Sequence, residues 1–111
     1  MGRRDKNDEE WKRVKEIVQK RDKGICRFLR ILTPSEMKIF KKSLKGASVG
    51  RLDPAHIIAV GHDIRLCYDP DNIVLLCRVA HDRIDNMRSP LTGEIINADQ
   101  QKAWWKRIKE G

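Results

Sequence analysis

Apolar residues recur at helical spacing near the start of the chain, at Trp11, Val14, Ile17 and Val18. Asn7 and Glu10 stand where an N-cap and its reciprocal partner belong, so a helix is predicted over 8–22, ending near Gly24. Met37, Ile39, Phe40 and Leu44 repeat the pattern behind Thr33-Pro34-Ser35-Glu36, a capping box with proline in the first turn, and predict a helix over 33–46. Lys45 to Gly50 reads as a flexible connection. The pattern then shortens. Arg51 to Val60 carries a β-branched run that reads as a strand closing in a turn at Gly61, and Ile73-Val74-Leu75-Leu76 is a short buried strand behind the turn formers Asp69, Pro70, Asp71 and Asn72. A helix over 79–88 is halted before Pro90, and Pro90 to Gly93 form a further turn. Asn97 or Asp99 caps a last helix, 98–109, that holds Trp104, Trp105 and Ile108.

Mixed short strands and helices in 111 residues predict a single α+β domain spanning 1–111, its two short strands flanked by N-terminal, inserted and C-terminal helices. A domain of this size needs some staple besides its core, such as a metal or a second subunit, which leaves a homo-oligomer open. Lys and Arg number 24 against 16 Asp and Glu, a net charge of +8, which points to a polyanionic partner and above all to nucleic acid. The charged stretch Arg3-Arg4-Asp5-Lys6 has no apolar run behind it and reads as no secretory signal; no stretch is long and apolar enough for a membrane span. A cytoplasmic protein without a membrane partner is expected, with Cys26, Cys67 and Cys77 reduced.

Three polar residues sit against apolar runs: His56 between Ala55 and Ile57-Ile58, Asn72 directly before Ile73, and His81 at the start of the 79–88 helix. Any one of them suits a satisfied core position. Together, with Leu52-Asp53-Pro54-Ala55-His56-Ile57-Ile58, Tyr68 to Cys77 and Ala80-His81 around them, they resemble the HNH nuclease motif. Arg21-Asp22-Lys23-Gly24-Ile25-Cys26 resembles the segment leading into that motif in small phage-type members. The likeness runs from about Trp11 to Pro90, with its core at about 51–88, and leaves both ends and the 33–50 insert uncovered.

The resemblance implies a ββα-metal core, a hairpin and a helix clasping one divalent ion (Mg²⁺, Mn²⁺, Ni²⁺ or Zn²⁺), and an activity: hydrolysis or nicking of DNA phosphodiesters, in a bacterial host if phage-encoded. Such hydrolysis needs a base for water and a cation for the phosphate charge. By resemblance His56 is the general base, Asn72 orients its strand and ring, and His81 is a metal ligand. The usual ligand before the base is replaced by Ala55, so Asp53, on the same strand face, and Asp85, one helical turn after His81, are the substitutes. Asp82 points elsewhere and His62 lies in a loop able to fold back. An alternative makes His56 itself a ligand, with a water or second histidine taking the proton. Related proteins carry two Cys-x-x-Cys pairs for a structural zinc; here Leu29 and Ala80 take the second positions, so no structural zinc is expected and Cys26 and Cys77 become neighbouring buried hydrophobes.

For DNA, Arg65, Arg78 and Arg83 lie nearest the motif; Lys38, Lys41, Lys42, Lys45 and Arg51 line the insert, and Lys102, Lys106, Arg107 and Lys109 the last helix. Trp104 and Trp105 suit packing, with Trp11's helix as one surface; two adjacent tryptophans cannot both face one core, which leaves the other for DNA or a partner subunit. A DNA-binding module on a decayed HNH scaffold, suggested by Ala55 and the missing cysteines, is the alternative function.

Overall fold

The unbroken apolar run before Cys77 forms a strand covered on both faces, and the rest of the chain is arranged around it. The computed structural model describes residues 8–58 and 64–111, the side chains of Asp8, Ile64 and Arg65 excepted. In chain order it consists of α1 (Asp8–Asp22), α2 (Arg27–Ile31), α3 (Pro34–Ser43), β1 (Leu52–His56), two 3-10 turns (Ile64–Tyr68 and Pro70–Asn72), β2 (Ile73–Cys77), α4 (Arg78–Asp85) and α5 (Ala98–Glu110). It is a small α+β fold. No helix of the described residues is long and apolar enough to cross a membrane.

β1 and β2 pair antiparallel, Leu52 against Cys77 through His56 against Ile73. Because strand side chains alternate, Ile73 and Leu75 point to one face, where Val14 and Val18 of α1 cover them. Val74, Leu76 and Ala55 point to the other, against Ala80 and Ile84 of α4, Phe28, Phe40 and the last helix's Trp105 and Ile108. All five residues of β2 are therefore buried. Ile57 donates to the Asn72 carbonyl at 2.8 Å, so alternate β1 amides point toward β2 and Pro54, which has none, sits with its nitrogen on the open edge. Pro54 leaves the strand regular, and Asp53 and Ala55 share the α4 face.

The strand is shorter than its β-branched run. β1 stops at His56, and Ile57 and Ile58 form a bend, because the Asn72 side chain takes up both backbone groups of Ile58 in place of a ladder. The anticipated turn at Gly61 lies outside the described residues, as does the Asn7 cap. α2 is an element that the pattern does not announce: five residues without a side-chain cap, held by the burial of Phe28. α3 and α4 end earlier than their apolar spacing suggests. Left-handed backbone at Lys45 and Met87 closes the turns that follow them. Thr33–Glu36 and Asn97–Gln100 both form complete capping boxes, which places the last helix's cap at Asn97 and not Asp99.

The connection at 45–50 is anchored at its far end: Val79 N–H donates to Val49 and Arg78 N–H to Arg51. Gly50 has φ +81°, and a Cβ there would lie 2.6 Å from the Arg78 Cβ, so only glycine fits this approach. Cys26 and Cys77 are buried neighbours, with the Cys77 N–H donating to the Cys26 Sγ at 3.1 Å.

Asp22, 1% exposed, ties the N-terminal helices to the sheet. Arg21 and Arg27 grip its carboxylate at 2.9 and 2.8 Å, and the Leu75 N–H donates to it at 3.1 Å. Arg21 reaches on to the carbonyls of Pro70 and Ile73, and Arg27 to those of Ile108 and Lys109 at the end of α5, where a cation complements the helix dipole. Burial works to raise the Asp22 pKa, but these hydrogen bonds outweigh it and hold the carboxyl below its usual range.

Candidate functional site

β1 carries chemistry on both of its faces because alternation sends Asp53 toward α4 and His56 toward α1. On the α1 side His56 is held in two perpendicular directions. Its Nε2 lies 3.1 Å from the Cys67 carbonyl, and its ring is stacked on Trp11 with centroids 5.5 Å apart and planes 20° apart. A carbonyl only accepts, so the neutral ring carries its proton on Nε2, and among the described residues no hydrogen-bond partner meets Nδ1.

Asn72, 5% exposed, is the clamp beneath this ring. Its Oδ1 accepts from Ile58 N–H at 2.8 Å, and its Nδ2 donates to the carbonyls of Ile58 and Leu66 at 3.1 and 3.2 Å. The amide fixes the exit of β1 and the turn bearing Cys67. It orients His56 through that backbone and not by touching the ring, one step removed from the role expected of it.

On the α4 side His81 stands between two carboxylates. Its Nε2 lies 3.0 Å from Asp85 and its Nδ1 3.5 Å from Asp53. The hydrogen bond to Asp85 raises the His81 pKa, burial opposes it, and Asp53 adds to the rise. Asp53 is itself engaged by Arg51 at 3.1 Å and Arg78 at 3.0 Å. Its burial works upward on its pKa, and the hydrogen bonds from Arg78 and His81 bring the net shift downward. Asp82 pairs with Arg78 and takes no part.

Both histidines line one cleft of about 940 Å³ along the open edge of β1. Its floor includes Pro54, Ile57 and Asp85, and its far wall is α5, which presents Lys102, Lys106 and Lys109 from one face beside Trp105. These lysines recur at i, i+4 and i+7, a row about 10 Å long. The structure thus brings His56, His81 and Asp85 together and puts Asp53 behind His81.

The arginines divide differently. Arg83 donates to Ser43 and the Pro90 carbonyl and lies over the Phe40 ring, and Arg107 grips Glu36 and the Ile31 carbonyl while covering Trp104. That grip drops the Glu36 pKa to about 2. Both guanidinium groups are engaged by partners within the protein. Lys38, Lys41, Lys42, Lys45 and Arg51 are exposed on or near the insert, and none lines the cleft. His62 and the Arg65 side chain lie outside the described residues. Trp104 meets Phe28 edge-on and Trp105 joins the core, so both tryptophans pack, against α2 and the core and not against Trp11's helix.

Ala55 is fully buried against Val74 and Ala80 and offers no donor. Among the described residues no group of three or more His, Cys, Asp or Glu converges to hold a metal ion. The reason is geometric: the two nitrogens of His81 diverge, one toward each carboxylate, so a single ion meets one carboxylate only. The His81–Asp85 pair suits it better, because Asp85 lines the cleft and has no arginine partner among the described residues. Its 3.0 Å separation is also that of adjacent donors around an ion with ~2.1 Å bonds. Trp11 and the Cys67 carbonyl are parts of the site that motif spacing does not reveal. Comparison of the chain with protein-family models, curated proteins and solved structures returns no match.

Proposed function

We propose that the chain is a divalent-metal-dependent DNA endonuclease of the HNH type, built on the β1–β2–α4 unit. The observation that carries this reading is the shared cleft: a histidine held at Nε2 by a backbone carbonyl, a histidine–carboxylate pair, and a lysine row on the opposite wall. His56 Nδ1 takes the proton from the attacking water. Cys67 and Asn72 hold the ring while it does so. Lys102, Lys106 and Lys109 attract the backbone of the DNA and set its register without reading sequence. His81 Nε2 and Asp85 would hold the ion, which would supply positive charge to the scissile phosphate.

A DNA-binding module on the same scaffold is the second reading, favoured by buried Ala55 and by the two-ligand limit at His81. Supercoiled plasmid incubated with pure protein and Mg²⁺, Mn²⁺, Ni²⁺ or Zn²⁺, against an EDTA control, separates the two. The nuclease reading expects open-circular product with at least one metal and none in EDTA. Salt-sensitive DNA retention without nicking under any metal selects the binding module and overturns the nuclease.

A further inference from the structure

We infer that Trp11 is a positioning residue for His56, a role that rests on the nuclease reading and that no part of the HNH resemblance supplies. The outer torsion of a histidine is broad, so a single hydrogen bond, which opposes a flip, still leaves the ring free to rock out of its plane. In-plane, the Cys67 carbonyl restrains Nε2; out-of-plane, a group packed on the ring face does so, and among the described residues the Trp11 indole is stacked there, at 5.5 Å and 20°. The separation and tilt are those of an offset-stacked aromatic pair.

Trp11 is in turn immobilised from several sides. It packs beside Val14, Val18, Ile73 and Leu75, and the Lys15 ammonium lies 5.8 Å from its ring. α1 is itself tied to the sheet by Arg21 and Asp22 at its far end. The indole thus transmits the placement of an entire helix to the ring that accepts the proton. Out-of-plane rocking of the ring weakens the Nε2–H bond to the Cys67 carbonyl, and with it the preference for the Nε2–H tautomer. A 1 Å error at a reacting atom can lower a rate by ~10²-fold.

The test compares wild type, Trp11→Leu and Trp11→Phe in two independent readouts. Nitrogen NMR of the imidazole, without DNA or metal, reports the tautomer and ring-current environment of His56. Plasmid nicking reports kcat and KM. Trp11→Leu is expected to mix the His56 tautomers and lower kcat by about 10- to 100-fold with KM within about twofold. Trp11→Phe, which keeps a flat face, is expected to retain the Nε2–H tautomer and most of kcat. Trp11→Leu with an unmixed tautomer and wild-type kcat overturns the inference. So does an equal loss in both variants with the tautomer unchanged, which is the signature of a merely structural tryptophan. Wild-type protein that fails to nick under every one of the four metals overturns the nuclease reading instead, and the tautomer readout does not depend on it.

Discussion

Asp22 and Asp85 both pair with nitrogen bases on the edge of a helix, and the two networks they belong to are opposites. Around Asp22 every partner comes from the protein, and the carboxylate is 1% exposed with two guanidinium groups and a backbone N–H directed at it. Around His81 the partners are incomplete: Asp85 is more than half exposed, and the approach to Asp53 is stretched to 3.5 Å. One network is closed and holds three helices and a strand in register. The other is open toward a cleft lined with lysines. Equal residue types therefore close a structural network where their hydrogen-bonding capacity is filled, and in the proposed reading serve chemistry where it is left for a ligand.

The sharpest way to break this contrast is to truncate each carboxylate. Asp22→Ala leaves Arg21, Arg27 and the Leu75 N–H without their partner and is expected to lower unfolding stability by ~3–4 kcal/mol, read from urea midpoints. Asp85→Ala is expected to stay within ~1 kcal/mol of wild type, since it removes a surface pair, while nicking is lost. A large stability loss at Asp85 would erase the distinction.

A second comparison sets the α5 lysines against the fastened arginines. Replacing Lys102, Lys106 and Lys109 by Ala should reduce the slope of log affinity for DNA against log salt by ~2–3, about 0.9 for each phosphate no longer neutralised. Arg83→Ala should leave that slope unchanged and lower the melting temperature instead, because its guanidinium bridges Ser43 and Pro90.

The smallest effects are in pH. Asp22 has a lowered folded pKa, so its stabilisation is full above the ordinary value of 3.8 and is lost as pH falls through the lowered one. His81 has a raised folded pKa, so in the metal-free protein its stabilisation is full below 6.5 and is lost as pH rises through the raised value. Melting temperature followed from pH 3 to 9 should show both limbs, and Asp85→Asn should flatten the alkaline one. Divalent-metal affinity should run the other way and rise with pH, because the ion displaces a proton from His81.

Much of this architecture is legible in the sequence. The capping box at Thr33, the cap candidates Asn97 and Asp99 and the apolar spacing behind them are local signals, and the helices they announce are present. The run Ile73–Leu76 marks a strand buried on both faces. What stays hidden depends on partners distant in sequence. The strand stops at His56 because Asn72, sixteen residues on, captures Ile58. The role of Trp11 depends on α1 lying across a strand 45 positions away, and inside its own helix it is only one member of an apolar stripe. The arginines look alike in sequence, and only tertiary structure separates those gripping Ser43 or Glu36 from the lysines that face the cleft. Asp22 is visible only as part of a resemblance; its physical reason is the N–H of Leu75.

The central claim is that His56 accepts the proton in metal-dependent DNA cleavage. Its most direct test is His56→Ala measured in parallel for plasmid nicking and for DNA retention across a salt series. The account predicts nicking reduced by ~10²- to 10⁴-fold, with the retention curve superimposable on that of wild type. Nicking at the wild-type rate by His56→Ala would contradict it.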